Sequence, residues 1–205
     1  MQQETAVPAV VATHASEAHA HHEVVPFSKN NSKFAMWLFL ASEVMFFTPL
    51  IAANVWARTV QPEEHALLNI PITSLNSFIL LASSYFVARA IGAIRNGNVI
   101  KMQRSLVLNL VAGLVFFLIM MTEYVELSHH GITLNSGPFG FAFFTLTGFH
   151  GLHVLIGCTW LTIVLNKAIN GVYTKDNYFG VEFYGLYWHF VDVVWIFIFT
   201  IVYLF

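Results

Sequence analysis

The sequence predicts an all-α integral membrane protein, a bundle of five transmembrane helices. Three observations predict it. Of 205 residues, 57% are hydrophobic and only 10% charged, whereas a soluble domain carries about a quarter charged residues. Mean hydropathy is +0.67. The apolar residues are also gathered into five long runs, at 34–57, 71–94, 105–125, 139–166 and 183–205, each about the length that crosses the hydrocarbon region as a helix. Short connections leave no room for a second domain, so residues 33–205 are expected to form one transmembrane unit. The 20 phenylalanines suit lipid-facing and interhelical packing.

Residues 1–32 form a polar tail containing His14, His19, His21 and His22. It lacks the basic start and apolar core of a signal peptide, and is expected to be a disordered extension. The first run carries Glu43 as its one deep ionisable residue, and Pro49, which is expected to kink the helix where neighbours satisfy the freed carbonyl. The second run ends among basic residues, with Arg89 placed to snorkel toward the interface, either to meet an anionic lipid phosphate or simply to mark the positive side of the membrane. The third closes on Glu123 and Glu126 with His129 and His130 behind them, which reads as a polar cap on the membrane surface. The fourth holds His150 and His153 near its middle, and Gly148, Gly151 and Gly157 are expected to admit close backbone approach. The fifth carries His189 and Asp192, three residues apart and therefore on one side of a helix. Trp37, Trp56, Trp160 and Trp188 read as interface anchors or packing.

Orientation follows from Lys and Arg. Lys29 and Lys33 precede the first run, Arg89, Arg95, Lys101 and Arg104 surround the second connection, and Lys167 and Lys175 lie in the fourth. The first connection offers only Arg58, and the third offers none. The positive-inside rule then places the N-terminus in the cytoplasm and the C-terminus outside. Scattered basic residues and a net charge of -2 give nucleic acid no support as a partner. Cys158 is the single cysteine, so no internal disulfide is possible, and its apolar surroundings predict an inert thiol.

Counting ~1.5 Å per residue puts Glu43, His153 and Asp192 at similar depth, so three spans could pool carboxylates and imidazoles in one layer. Polar groups at such depth cost a few kcal/mol each and normally find partners. Three readings are open: an interhelical hydrogen-bond network, a transition-metal site using two histidines and carboxylates, and a proton-transfer or lipid-headgroup site beside Glu43. The spacing lacks the Glu-x-x-His pattern of di-iron bundles, and no metal ligand or catalytic residue is assigned. A free-standing metalloenzyme built on His150, His153, His189 and Asp192 is one rival, and a proton-coupled transporter using Glu43 and Asp192 another. The absence of an internal repeat weighs against the transporter.

Three motifs resemble subunit III of the haem-copper respiratory oxidases. Ser42-Glu43-Val44-Met45-Phe46-Phe47 is similar to that family's carboxylate-bearing helix, Thr147-Gly148-Phe149-His150-Gly151-Leu152-His153-Val154 to its histidine helix, and Tyr187-Trp188-His189-Phe190-Val191-Asp192-Val193-Val194-Trp195 to its last helix. The resemblance covers residues 33–205. It implies a subunit without haem or copper, which sit in partner subunits, packed against catalytic subunit I with subunit II in the same complex. It further implies bound phospholipid, with Arg89 and Glu43 as candidate contacts, and support of sustained proton pumping. Glu43 matches the family's carbodiimide-reactive glutamate through its flanking residues. Relatives with seven spans hold lipid in a cleft behind their first two, and this chain begins with the equivalent of the third. Five-span forms also occur among quinol oxidases and nitric oxide reductase accessory subunits, but the Glu43 motif, Phe149 and Tyr187 look more like the cytochrome c oxidase branch. The implied location is the bacterial cytoplasmic membrane.

Overall fold

The computed structural model describes residues 29–204. The tail histidines His14, His19, His21 and His22 lie outside the described residues. Among those described there is no strand. The helices are α1 (Lys29–Val60), a single turn α2 (Pro62–His65), α3 (Ile70–Arg95), α4 (Val99–His129), α5 (Pro138–Ile169) and α6 (Phe179–Ile198), which continues as a π-helical end over Phe199–Leu204. Five of them are long and apolar enough to cross a membrane. Each overruns the apolar run that predicts it at one end or both, because helices extend past the hydrocarbon until a turn residue stops them. Asn98 starts α4 by accepting from the Lys101 amide at 2.9 Å, as a side-chain N-cap should. Gly97, at φ +75°, ends α3. The Asn98 amide reaches back to the Ala93 carbonyl at 2.9 Å, the 6→1 bond of a Schellman stop. The helix α1 runs through Pro49 without interruption.

Consecutive long helices run antiparallel, which gives the bundle two rims. The proximal rim holds the start of α1, the α3–α4 corner, and the connection from α5 to α6. The distal rim holds α2, the α4–α5 connection and the π-helical end. Burial grades across the bundle: half of the apolar window of α6 is buried but only 17% of that of α1. The last helix is therefore the axis, packed against α3, α5 and α1, and α1 is a peripheral helix leaning on α5 and α6.

Lipid offers apolar side chains no gain from leaving water, so packing and hydrogen bonds must hold the axis. Two indoles of α6 supply both. Trp188 donates to Ser83 Oγ and Trp195 to Ser77 Oγ, each at 2.8 Å, so α3 presents a ladder of serines to its antiparallel neighbour. Trp188 is fully buried, inside the core and not at an interface. Its ring fits where Gly113 of α4 and Gly157 of α5 leave room: a Cβ on Gly113 would lie 2.8 Å from the ring, and one on Gly157 2.7 Å. The α5 glycines thus admit side chains where close backbone approach is expected. Gly151 faces the end of Met120, and Gly148 is merely in ordinary contact with Tyr124. Trp37 and Trp56 are exposed near the ends of α1.

Candidate functional site

The polar residues of the spans divide into separate sites, and the single layer expected from depth does not form. Glu43 of α1 and His153 of α5 make one pair, with Glu43 Oε2 3.2 Å from His153 Nε2. The second ring nitrogen, Nδ1, lies 2.7 Å from the Phe149 carbonyl one turn earlier. A carbonyl only accepts, so Nδ1 carries a proton. The remaining contact then needs one more proton, either on Nε2 facing a carboxylate or on Glu43 facing a bare nitrogen. One proton placed between the two atoms would leave the pair without net charge. Both side chains are mostly covered, at 18% and 13% exposure. Phe47 packs its edge on the imidazole, with ring centroids 5.1 Å apart, and Phe46 on Phe149 at 5.0 Å. Tyr187 of α6 donates to the His153 carbonyl at 2.9 Å, which ties α5 to the axis at the same level.

His150, one turn earlier on α5, is fully buried and serves α6. Its Nε2 donates to the Val191 carbonyl at 3.3 Å, and Trp195 lies over the ring at 4.7 Å between centroids. His189 turns to α3, with Nδ1 2.7 Å from Ser84 Oγ. Asp192 is buried beside Ser84, the hydroxyl that also meets His189, and neither carboxyl oxygen has a partner at good hydrogen-bond geometry among the described residues. Among those residues no three His, Cys, Asp or Glu side chains converge as a metal ion requires. His150 and His153 of α5 turn to α6 and α1, while His189 and Asp192 of α6 lie by Ser84 of α3, so the set a metalloenzyme would need is split between separate places.

Beside the Glu43 pair an apolar groove follows the seam between α1 and α6. One section of about 360 Å3 is lined by Val44, Phe47, Ile51, Phe190, Val193 and Phe197. A second, of about 440 Å3, continues toward the proximal rim past Trp37, Leu40, Leu186 and His189. Arg89 lies elsewhere, on the exposed face of α3 in a groove with Lys101, and so is not in one site with Glu43.

The distal rim holds a carboxyl that its position in the sequence disguises. Glu123 is buried where a surface cap is expected. It accepts from Thr73 Oγ1 at 3.1 Å and from Tyr203 Oη at 3.0 Å, joining α3, α4 and the π-helical end. Antiparallel alternation brings the start of the second run, the end of the third and the end of the fifth to one level, and that is the signal that finds this triad. Close by, His65 donates to the Val202 carbonyl at 2.7 Å and Arg58 to the Ile201 carbonyl at 3.4 Å. These are among the carbonyls a helix end leaves without partners. Gln61 Oε1 accepts from the Phe139 amide at 2.9 Å and so caps α5, whose own N-cap is Gly137.

Fold and side chains together define a polytopic helical membrane protein whose buried polar groups bind its helices to one another. The sequence model for cytochrome c oxidase subunit III matches residues 10–205. The chain is 35% identical over 193 residues to cytochrome c oxidase subunit 3 of Oryctolagus cuniculus, an overlap of 89% of this chain and 72% of that protein. It is 35% identical over 181 residues to the Lemur catta protein, covering 83% and 65%, and 35% over 193 residues to that of Osphranter robustus, covering 89% and 72%. This chain belongs to the cytochrome c oxidase subunit III family.

Proposed function

We propose that the chain is the non-catalytic subunit III of a proton-pumping cytochrome c oxidase in a bacterial inner membrane. It packs against catalytic subunit I, with subunit II in the same complex, and those partners carry the haem and copper that reduce oxygen. The N-terminus faces the cytoplasm, since Lys33, Arg89, Arg95, Lys101, Arg104, Lys167 and Lys175 all fall at the proximal rim while Arg58 stands at the distal one. The relatives' shared name favours cytochrome c over a quinol as electron donor.

The observation that carries the reading is the Glu43–His153 pair beside an apolar groove on the least buried helix. A carboxyl and an imidazole that share one proton in hydrocarbon keep a proton available without the cost of an unpaired buried charge. On this reading the pair helps sustain proton uptake through many turnovers, phospholipid lies against the bundle, and His150 and His189 hold the helices that position it. Two measurements test it. The complex purified through this chain should contain subunit I, and a preparation without haem-copper subunits removes the assignment. In Glu43→Ala the complex should assemble and start at nearly normal oxygen consumption, then lose activity faster over successive turnovers. Decay identical to the wild type takes Glu43 out of the role.

A further inference from the structure

We propose that Asp192 is a proton-exchange site, connected to water at the proximal rim through Ser84 and His189. Asp192 is 3% exposed, no Lys or Arg pairs with it among the described residues, and both its oxygens lack a partner at good geometry. An unpaired carboxylate in hydrocarbon costs far more than the neutral acid, so the resting form is the acid. An acid has a proton to give, and the polar group beside it is the Ser84 hydroxyl. That hydroxyl lies 2.7 Å from His189 Nδ1. With Ser84 donating, Nδ1 accepts, and the proton of the neutral ring sits on Nε2. His189 also lines the groove along α1 and a further cleft that opens at the proximal rim, so its free edge faces space that water can enter.

That cleft, of about 270 Å3, has Lys33, Arg95, Glu182, Gly185, Leu186 and His189 in its walls, and holds several waters at ~30 Å3 each. Glu182, Gly185, Leu186 and His189 follow the i, i+3, i+4, i+7 spacing of one helix face. One side of α6 therefore leads from the ion-paired carboxylate at the rim to the imidazole, a rise of about 10 Å at ~1.5 Å per residue. When water takes the Nε2 proton, the Ser84 proton moves to Nδ1 and the Asp192 proton moves to Ser84 Oγ. The three groups together lose one proton, and Asp192 is left as a carboxylate accepting from Ser84. The reverse sequence reloads it. The other ionisable groups near this route are Lys33 of α1 and Arg95 of α3, both bound to Glu182 at the mouth, and Tyr184 of α6. His150 of α5 is engaged by the neighbouring Val191 carbonyl. The Glu43–His153 pair joins α1 to α5 and takes no part, so the inference stands apart from the role proposed for Glu43.

The test follows the carboxylic-acid band of Asp192 by infrared spectroscopy on the intact complex in nanodiscs, transferred from light to heavy water. Wild type should show an acid band that Asp192→Asn removes, and the band should shift as deuterium replaces the proton. Where Asp192→Asn fails to assemble, Asp192→Glu, which keeps the acid and displaces its band, gives the same assignment. A positioned acid–base group speeds proton transfer about a hundredfold or more, so Ser84→Ala and His189→Phe should each slow the shift by about that factor. Ser84→Thr keeps a hydroxyl and should restore the wild-type rate. Glu43→Gln should leave the rate at Asp192 unchanged. A serine that only packs would alter the band's position and not its exchange, so wild-type exchange in Ser84→Ala overturns the proposal. A spectrum in which neither Asp192 variant removes or moves an acid band overturns it as well. Both failures would occur with subunit I still bound, whereas failure of the functional reading would show as a chain that does not copurify with it.

Discussion

The two rims of this bundle are fastened by different physics. At the proximal rim the cross-links are ion pairs at the surface. Glu182 meets Arg95 and Lys33, whose side chains are 57% and 50% exposed. At the distal rim the cross-links are hydrogen bonds, with Glu123 buried between Thr73 and Tyr203, and with the half-buried Arg58 and His65 on the Ile201 and Val202 carbonyls. Exposed pairs are weak, since solvent and salt screen them and long side chains must be ordered. A buried acceptor that loses its donors, or donors that lose their acceptor, costs far more. The contrast teaches that charge count is a poor guide to where such a bundle is held. The rim rich in Lys and Arg holds the weaker fastenings, and the rim nearly devoid of them carries the mechanical load.

That contrast can be broken in order of expected effect. Glu123→Ala strands the buried Tyr203 hydroxyl, leaves Thr73 to the Asn69 carbonyl and opens a void, and should cost about 2–3 kcal/mol. Thermal dissociation of this chain from the purified complex should fall by many degrees, with Glu123→Gln intermediate because it keeps one accepting oxygen. His65→Ala frees the Val202 carbonyl and should cost about 1–2 kcal/mol, read as faster hydrogen exchange of the π-helical end. Gln61→Ala removes the cap of α5 and should cost about 1 kcal/mol, seen as earlier exchange of the amides beginning at Phe139. Glu182→Gln should be the mildest, below about 1 kcal/mol, and high salt should erase what difference there is. If Glu182→Gln proves as damaging as Glu123→Ala, the division of labour between the rims is wrong.

The fold was legible because the bilayer imposes one length on every crossing, and five apolar runs of that length leave few alternatives. Depth along each run was legible too, which is why Glu43 and His153 could be placed at one level before any contact was seen. Partner choice was not. His150, His153 and His189 look alike in sequence, yet their rings serve Val191, Glu43 and Ser84, because the rotation of each helix about its axis is decided by packing against neighbours. Glu123 was misread for a related reason. A carboxylate near the end of a hydrophobic run beside two histidines looks solvated, and the residues that bury it lie 50 positions before and 80 after.

The indole of Trp188, lodged between the notches left by Gly113 and Gly157, acts as a detent on the C-terminal span. Any sliding of α6 along its own length by a residue would drive the ring into the backbone of α4 and α5, so the register of the final crossing is indexed to two other helices at once. Evolutionary drift at either notch is thereby linked to the size of one side chain, and the three positions should be able to change only together.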